Sequence, residues 1–312
     1  MKEKDKKRKV VIAVTALNAI DSPGPGVAVI RSIRECEEFE VRIIGLSYES
    51  LEPGIYMHDI VDKTYQIPYP SAGTDSLFAR MQHINNIEHI DVLIPNFDAE
   101  LFNFIRIGEE LRKIGIHTFL PTQEEFEARD KVNLSKFGRK HEFPIPPDKV
   151  IFHLGEIVKA AEKFSYPLVV KGKYYDAIVC NTLDEAEKAF YKLQAKWGLP
   201  IIIQKFIPGT EINIALLGDG KGNAISIIPM RKLYITEKGN AWARITIEDP
   251  TLIEMAEKFV RVTRWQGGCE LEIKMSPDGK PFIMEVNPRF PAWIYLTAAA
   301  GQNQPASLVK LA

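Results

Sequence analysis

The side chains best suited to chemistry lie near the C-terminus, in GGCELEIKMSPDGKPFIMEVNPRF (residues 267–290). Apolar and polar residues alternate on both sides of SPDGK, which predicts a two-stranded hairpin. Because neighbouring strand side chains point to opposite faces, Glu272, Glu285 and Asn287 can share one polar face. Two carboxylates and an amide oxygen are suitable ligands for Mg²⁺. Arg289 follows at once, where it can hold an anion that the metal also touches.

The alternation leaves open which glutamate of the first strand binds the metal. Glu270 and Glu272 lie on the same face, and their apolar neighbours favour Glu272. The alternative is a solvated hairpin with paired charges, which accounts well for Glu270 and Lys274. It accounts poorly for Glu285, which stands in the apolar run FIMEV, where an unpaired carboxylate is costly. We therefore expect a metal site.

Composition excludes several classes of protein. The chain has 312 residues, 46% hydrophobic and 26% charged, so it is neither disordered nor too short for two domains. Residues 1–9 carry a charge of +4 and the rest carries −5, which together give the net −1 and leave no large positive field for nucleic acid. The apolar run after residue 9 is too short to span a bilayer, so we expect no membrane partner. Cys36, Cys180 and Cys269 lie far apart, which excludes a disulfide framework and fits a reducing cytoplasm.

The elements that must position the chemistry fall into successive stretches. The expected organisation is a basic tail (1–8), an N-terminal α/β domain (9–120), a helix and Pro-rich linker (121–149), a small α+β lobe (150–205) and a C-terminal lobe with the hairpin (206–312). In residues 9–120, short apolar strands alternate with helices, which predicts a parallel sheet covered on both faces. We expect its last strand at Ile116–Leu120 and a single helix over Leu101–Lys113. The chain ends soon after the helical pattern ASLVKLA, and we expect a natural C-terminal segment beyond it.

Three further segments are candidates for substrate contacts. Gly24–Gly26 follows the first predicted strand and precedes a helix, where backbone N–H groups could cradle an anion; a plain turn is the alternative. Asp98 and Glu100 follow another predicted strand, with helix capping as the alternative role. Arg289–Tyr295 (RFPAWIY) is aromatic and either walls a pocket or packs in the core.

Several segments occur in a recognisable order: ARDKVNLSKF, YPLVVKG, IIIQKFIPGTE and finally EVNPRF. Together they resemble the ATP-grasp superfamily of carboxylate–amine (or thiol) ligases, in the branch of the carbamoyl-phosphate synthase large subunit and biotin carboxylase. The resemblance covers essentially the whole chain. It implies a mixed α/β and α+β fold, with an N-terminal Rossmann-like parallel-sheet domain followed by a two-lobed ATP-grasp fold.

The resemblance also implies the cofactors ATP and Mg²⁺, with Mn²⁺ as an alternative to Mg²⁺. It further assigns roles to individual residues. Contacts to the nucleotide are expected from Lys131, Lys171, Lys173, Gln204, Lys205, Phe206, Ile207 and Glu211. Within this set Lys171 touches the α-phosphate, the backbone of residues 205–207 contacts adenine, and Glu211 binds the ribose. Arg231 and Lys232 clamp phosphate, with a plain surface pair as the alternative, and Arg289 stabilises the transferring group.

The implied activity is ATP- and Mg-dependent ligation. A substrate carboxylate becomes an acyl phosphate, an amine or thiol displaces the phosphate, and ADP is released. The substrates would be small molecules or peptides, and dimers are frequent in the family. The sequence departs from the family in KGKYYDA (residues 171–177), where many members carry a glycine-rich loop. That departure motivates one alternative, a non-catalytic ATP-binding module serving a partner; carboxyphosphate chemistry with bicarbonate is another.

Overall fold

The structure is a computed structural model that describes residues 7–19, 22–173, 176–236 and 241–312. Most of the predicted basic tail, and Tyr174 and Tyr175 of the short loop, lie outside these residues. In the described residues the strands are β1 (Arg8–Val14), β2 (Phe39–Ser47), β3 (Lys63–Gln66), β4 (Val92–Ile94), β5 (Asp148–Ile151), β6 (Leu168–Lys171), β7 (Ala177–Cys180), β8 (Ile201–Lys205), β9 (Thr210–Asp219), β10 (Ala224–Ile235), β11 (Ala241–Thr246), β12 (Gln266–Met275) and β13 (Pro281–Asn287). The α-helices are α1 (Pro25–Arg34), α2 (Thr74–Glu88), α3 (Asp98–Arg106), α4 (Gly108–Lys113), α5 (Gln123–Ala128), α6 (Leu134–His141), α7 (Glu156–Phe164), α8 (Leu183–Trp197), α9 (Pro250–Thr263), α10 (Tyr295–Ala299) and α11 (Gln304–Leu311).

The chain divides into two compact units. Unit 1 comprises Met1–Phe126, Asn213–Leu271 and Asn287–Ala312, and unit 2 comprises Glu127–Ile212 and Glu272–Val286. The strands β9, β12 and β13 pass from one unit into the other. They belong to a five-stranded sheet of order β11-β10-β9-β12-β13. No helix within the described ranges is both long and apolar enough to cross a bilayer.

Unit 1 contains the predicted parallel sheet, with strand order β3-β2-β1-β4 and parallel pairing throughout. The apolar residues of β1 are buried on both faces of this sheet. Ile12 and Val14 pack into one hydrophobic cluster, whereas Ala13 packs into another. Because side chains alternate along a strand, the two clusters lie on opposite faces, as expected for a parallel sheet covered on both sides.

Two predictions of local structure in unit 1 are wrong. Residues 116–120 form no strand; a single isolated bridge joins Val92 to His117. Ile116 is nevertheless fully buried in the core. The apolar run therefore reflects burial and does not mark a further strand of the sheet. The single helix expected over Leu101–Lys113 is interrupted at Ile107, which separates α3 from α4.

Unit 2 contains an antiparallel sheet of order β5-β8-β6-β7. Alternate residues of β6 and β8 pack with α7 and α8 in one hydrophobic cluster, among them Leu168, Val170 and Ile203. The remaining positions of these strands face the other side. Pairing of Val169 with Gln204 fixes the register, so Gln204 shares that second face with Lys171.

Candidate nucleotide and metal site

Lys171, the last residue of β6, is the buried cation of unit 2. It is 9% exposed, on the sheet face away from the helix-covered cluster. Burial lowers the pKa of its ammonium group, and the charge of Lys131 acts in the same direction. The carboxylates of Glu285 and Glu272 oppose this lowering of the pKa. Both glutamates of the predicted metal set that belong to unit 2 therefore lie close enough to act on one buried lysine.

A second lysine contacts one of these two carboxylates directly. Lys131 lies in the turn between α5 and α6, and its Nζ is 3.2 Å from Oε2 of Glu285. Their side chains are 17% and 30% exposed, so the pair is partly shielded from water. Glu272 is half-buried on β12. The structure thus brings Lys131, Lys171, Glu272 and Glu285 together within unit 2.

This set of side chains fits a metal-bound polyphosphate. Two carboxylates suit a hard divalent cation, and two lysines suit phosphate oxygens. In the described part of the chain, no group of three or more His, Cys, Asp or Glu side chains could hold a metal ion. A cation bound by Glu272 and Glu285 would therefore complete its shell with oxygens that these four residue types do not supply, such as those of phosphate or water.

Gln204 provides independent evidence of a binding position. It is 3% exposed, and its Oε1 atom is buried with no hydrogen-bond partner among the described residues. Buried polar atoms are almost always paired, so this acceptor calls for a donor from a ligand or from water. Because Gln204 and Lys171 share one face of the sheet, a ligand there could meet both.

The other residues predicted to contact nucleotide vary in their surroundings. The N–H of Lys205 donates to the Pro147 carbonyl at 2.8 Å, so this group already has a partner. Glu211 is paired with Lys274, with 3.2 Å between Nζ and Oε1. Lys173 acts on the carboxylate of Asp130, whose pKa is raised by burial and lowered by the charges of Arg129 and Lys173.

Glu270 forms a hydrogen-bond network in unit 1 that no pattern in the sequence indicates. Its side chain is buried, and its Oε1 accepts hydrogen bonds from Asn213 Nδ2 at 2.6 Å and Trp293 Nε1 at 2.7 Å. Its Oε2 accepts from Asn287 Nδ2 at 3.1 Å, and Arg289 Nη1 lies 3.6 Å away. Since Oε1 accepts two hydrogen bonds and Oε2 accepts one beside an ion pair, Glu270 is poorly placed to bind a metal.

The network orients two side chains of the EVNPRF motif. A carboxylate requires a donor, so Asn287 turns its Nδ2 toward Glu270, and its Oδ1 points the other way. Arg289 is held from two sides, because its Nε also donates to Asp98 Oδ2 at 3.0 Å. This geometry favours Glu272 over Glu270 as the metal ligand. It also accounts for Trp293, which is 7% exposed and packs in the core.

Arg231 and Lys232 lie on β10, in unit 1. Arg231 pairs across the strands with Ile245, and Lys232 pairs with Arg244. Arg231 is exposed and Lys232 half-buried. The loop that joins β10 to β11, residues 237–240, lies outside the described residues, so the predicted phosphate clamp stays a prediction.

Of the two interpretations of Gly24–Gly26, the hydrogen bonds favour the plain turn over the anion cradle. The N–H of Gly24 donates to Asn18 O at 2.7 Å, and the N–H of Gly26 donates to Ala16 O at 3.0 Å. A Cβ on Gly26 would stand 2.2 Å from the Thr15 carbonyl oxygen. These glycines permit close backbone packing, and the two N–H groups are already used.

Glu100 is buried in unit 1, at the carboxyl end of the parallel sheet. It accepts hydrogen bonds from the hydroxyls of Thr15 and Tyr48 and from the backbone N–H groups of Asn96 and Phe97. Burial raises its pKa to about 7, and these hydrogen bonds oppose the rise. A carboxyl group so enclosed acts as an internal support for the sheet edge rather than as a contact to substrate.

Comparison with known proteins identifies relatives along the chain. Residues 199–312 match the family described as "ATP-grasp in the biosynthetic pathway with Ter operon". The carbamoyl phosphate synthase large chain of Pyrococcus furiosus is 29% identical over 176 residues, which cover 52% of this chain and 16% of that protein. The arginine-specific large chain of Bacillus subtilis is 22% identical over 309 residues, which cover 92% of this chain and 28% of that protein. The chain therefore spans less than a third of the length of these relatives.

A solved structure agrees with this relationship at the level of the fold. The biotin carboxylase domain dimer of Hydrogenobacter thermophilus 2-oxoglutarate carboxylase, in complex with MgADP, ADP and bicarbonate, superposes with a TM-score of 0.74. The alignment covers 96% of this chain and 69% of that one at 16% identity. The fold class and the family resemblance read from the sequence are confirmed: residues 199–312 match an ATP-grasp family, and the chain resembles the carbamoyl phosphate synthase large chains and shares the fold of the biotin carboxylase domain.

Proposed function

We propose that the protein is an ATP- and Mg²⁺-dependent ligase that activates a substrate carboxylate as an acyl phosphate. The observation that carries the proposal is the group of Lys131, Lys171, Glu272 and Glu285 in unit 2. Burying a lysine ammonium is costly unless it is paired. Lys171 is buried beside two carboxylates, so a group that can bind phosphate lies next to groups that can bind a metal.

Glu272, Glu285 and Asn287 would hold the Mg²⁺. When bound, the metal supplies positive charge that neutralises the phosphate oxygens during transfer. Glu285 already attracts a cation, since it pairs with Lys131. Asn287 meets the requirement for a neutral oxygen ligand, because Glu270 fixes its amide nitrogen and thereby the direction of its oxygen. Mn²⁺, which prefers similar oxygen ligands, is the alternative metal.

The remaining residues bind the nucleotide and orient the reacting groups. Lys131 and Lys171 bind phosphate oxygens, with Lys173 at the edge of the loop. Gln204 Oε1 accepts a hydrogen bond from the exocyclic amine of adenine, and residues 205–207 contact the base edge. Glu211 accepts hydrogen bonds from the ribose hydroxyls.

Arg289, with Arg231 and Lys232, would stabilise the anionic groups during transfer. A carboxylate oxygen of the substrate attacks the γ-phosphorus, and the bond to the β-phosphate oxygen breaks to release ADP. The amine then attacks the acyl carbon and inorganic phosphate leaves, while the amine proton passes to phosphate or solvent. Catalysis of this kind rests on positioning and charge neutralisation. The substrates are small-molecule or peptide carboxylates and amines, and the enzyme is proposed to act as a homodimer.

Two alternatives remain tied to specific observations. The short segment KGKYYDA, with one glycine, favours a non-catalytic ATP-binding module that senses nucleotide or serves a partner. The bicarbonate in the related biotin carboxylase domain favours carboxyphosphate chemistry. Release of ADP only with an added organic acid would support the ligase over both alternatives.

The direct test is trapping of the acyl phosphate. The protein is incubated with ATP, Mg²⁺, hydroxylamine and pools of carboxylic acids, and hydroxamate and ADP are measured. Glu285→Gln should abolish turnover without lowering the melting temperature, whereas the matched exposed change Glu162→Gln on α7 should leave both unchanged. AMP with pyrophosphate in place of ADP would reject the acyl-phosphate route, and full activity of Glu285→Gln would remove that residue from the metal site.

A further inference from the structure

Two neighbouring strands of unit 1 continue from the core onto the surface. Within β10, Ile228 and Met230 pack in a hydrophobic cluster. After Met230 no residue of β10 is buried, and no residue of β11 is buried. Residues 231–235 and 241–246 therefore form a pair of antiparallel strands on the surface of unit 1, here called the exposed ribbon.

The exposed ribbon presents large apolar side chains to solvent. Trp242 is 80% exposed and Tyr234 is 67% exposed, and three aliphatic side chains of the ribbon are exposed as well: Leu233, Ile235 and Ile245. A single exposed apolar residue is ordinary, whereas several on one short ribbon are typical of a surface that binds another molecule.

β11 is also an edge strand. It is the outermost strand of the five-stranded sheet, so within the described residues only β10 pairs with it. Backbone groups on its other side can pair with a further strand. Charged residues and prolines commonly prevent such pairing, yet β11 has no proline, and Arg244 is its only charged residue. The guanidinium of Arg244 turns back on its own strand, where Nη2 donates to the Ala241 carbonyl at 2.8 Å.

The charges of the exposed ribbon indicate the chemistry of a partner. The ribbon contains three basic residues, Arg231, Lys232 and Arg244, and no acidic residue. Cross-strand pairing places Lys232 and Arg244 on one face, and Arg231 and Ile245 on the other. A second copy of this chain would bring the same basic side chains, and like charges on paired strands are destabilising. An acidic segment is complementary to the ribbon instead.

We propose that the exposed ribbon binds an extended polypeptide segment in which acidic and apolar side chains alternate. The segment pairs with β11 as an additional strand. Because side chains alternate between the faces of a strand, its acidic side chains lie on the face of Lys232 and Arg244, and its apolar side chains lie on the face of Ile245. The inference goes beyond the proposed ligase activity, since it concerns a macromolecular partner and its tests contain no nucleotide.

The first test varies the charge of the segment. A fluorescein-labelled hexapeptide of alternating valine and glutamate is titrated with the full chain, against a hexapeptide of alternating valine and lysine, and fluorescence anisotropy is measured. The acidic peptide should bind at least about 10-fold more tightly, and the difference should shrink as salt is added. Equal affinities of the two peptides, or no saturable binding of the acidic peptide below about 1 mM, would overturn the proposal.

The second test asks whether the peptide binds as a strand. Alternate residues of a strand direct their backbone groups to the same neighbour. Two versions of the acidic hexapeptide therefore carry N-methyl groups either on the valine amides or on the glutamate amides. One version should lose at least about 10-fold in affinity, because its methyl groups block the hydrogen bonds to β11, and the other should keep its affinity. Full affinity of both versions would exclude pairing with β11.

Variants locate the binding surface. Trp242→Ala should weaken the acidic peptide at least about 10-fold without lowering the melting temperature, because the side chain is mostly in solvent. Tyr191→Ala, at an exposed position on α8 in unit 2, is the control and should change neither quantity. Unchanged peptide affinity in Trp242→Ala would contradict the assignment.

Two other occupants of the ribbon are tested in the same variant. Light scattering reports a second copy, and sedimentation with phosphatidylcholine vesicles that contain phosphatidylserine reports a membrane surface. A dimer or a vesicle complex that forms with the wild type and is lost in Trp242→Ala, when the acidic peptide does not bind, would overturn the proposal in favour of that occupant.

Discussion

The carboxylate of Glu270 has a role that one substitution can isolate. Oε1 accepts two hydrogen bonds, and Oε2 accepts one and forms an ion pair with Arg289. Glu270→Gln keeps the shape but leaves a single acceptor oxygen, and its NH₂ group must face one pair of donors. Each buried donor left without a partner costs about 1–3 kcal/mol. The substitution should therefore lower the free energy of unfolding by about that amount or more.

The more specific effect concerns the metal. If the new NH₂ group faces Asn287, the amide of Asn287 is no longer held with its oxygen outward. Partners that orient metal ligands typically contribute about 10–100-fold to metal affinity or activity. We expect Glu270→Gln to weaken MgADP by about this factor and to leave the affinity for ADP in EDTA unchanged. Calorimetric titration of both forms of the nucleotide measures the difference.

A matched variant acts on the other oxygen of the same carboxylate. Asn213→Leu removes a donor from Oε1 and leaves the bond between Asn287 and Oε2 in place. It should lower the free energy of unfolding without weakening MgADP binding more than ADP binding. The reasoning fails if Glu270→Gln binds MgADP as tightly as the wild type, or if MgADP and metal-free ADP weaken equally in that variant.

Three further changes test separate parts of the molecule. Lys171→Met should weaken ATP binding about 10–100-fold, because a charge-assisted contact of about 1.5–3 kcal/mol is lost. The melting temperature should stay the same or rise, because a buried ammonium group is removed. Unchanged ATP affinity in calorimetry would exclude Lys171 from the phosphate site. Burial raises the pKa of Glu100 to about 7 from an ordinary 4.5, so the folded state holds this proton more tightly than the unfolded state. The contribution of Glu100 to stability should therefore be fully present below pH 4.5. It should fall by about 3 kcal/mol as the pH rises through 7. Glu100→Gln should flatten that dependence in urea titrations between pH 5 and 8, and an unchanged slope would contradict the assignment. Gly209→Ala should lower the free energy of unfolding by more than about 1 kcal/mol, because φ is +141° and a Cβ would lie 1.9 Å from the Met275 carbonyl oxygen. Gly108→Ala, where no atom lies closer than 3.7 Å to the new Cβ, is the control. Equal urea midpoints for the two variants would contradict the predicted strain at Gly209.

Period-two alternation predicted much of the candidate site. It assigned Glu272, Glu285 and Asn287 to a hairpin, and two of these side chains act together on Lys171. Alternation could not separate Glu270 from Glu272, since residues two apart on a strand share a face. The distinction came from Asn213, 57 residues away along the chain, which pairs with Glu270. No local pattern contains such a contact.

The errors in the predicted fold have a related cause. A short apolar run indicates burial, and burial alone does not distinguish a strand from an extended segment packed on the core. Ile116 is buried in the core although residues 116–120 form no strand. Gly24–Gly26 illustrates the same limit for glycine. Glycine marks a place where the backbone comes close to something, and here the neighbour is the chain itself at Thr15 and Ala16 rather than a ligand.

The two carboxylate systems differ in burial and in the number of their partners. In unit 2, Glu285 is partly exposed and paired with a lysine, so a cation can compete for it at modest cost. In unit 1, Glu270 is buried and accepts three hydrogen bonds, so displacing its partners would leave buried groups unpaired. The first arrangement suits a ligand that binds and leaves, and the second suits a fixed support. If Glu270 were the metal ligand, the metal would have to displace its buried hydrogen-bond partners. The contrast in burial is therefore the strongest physical argument for proposing Glu272 and Glu285 as the carboxylate ligands.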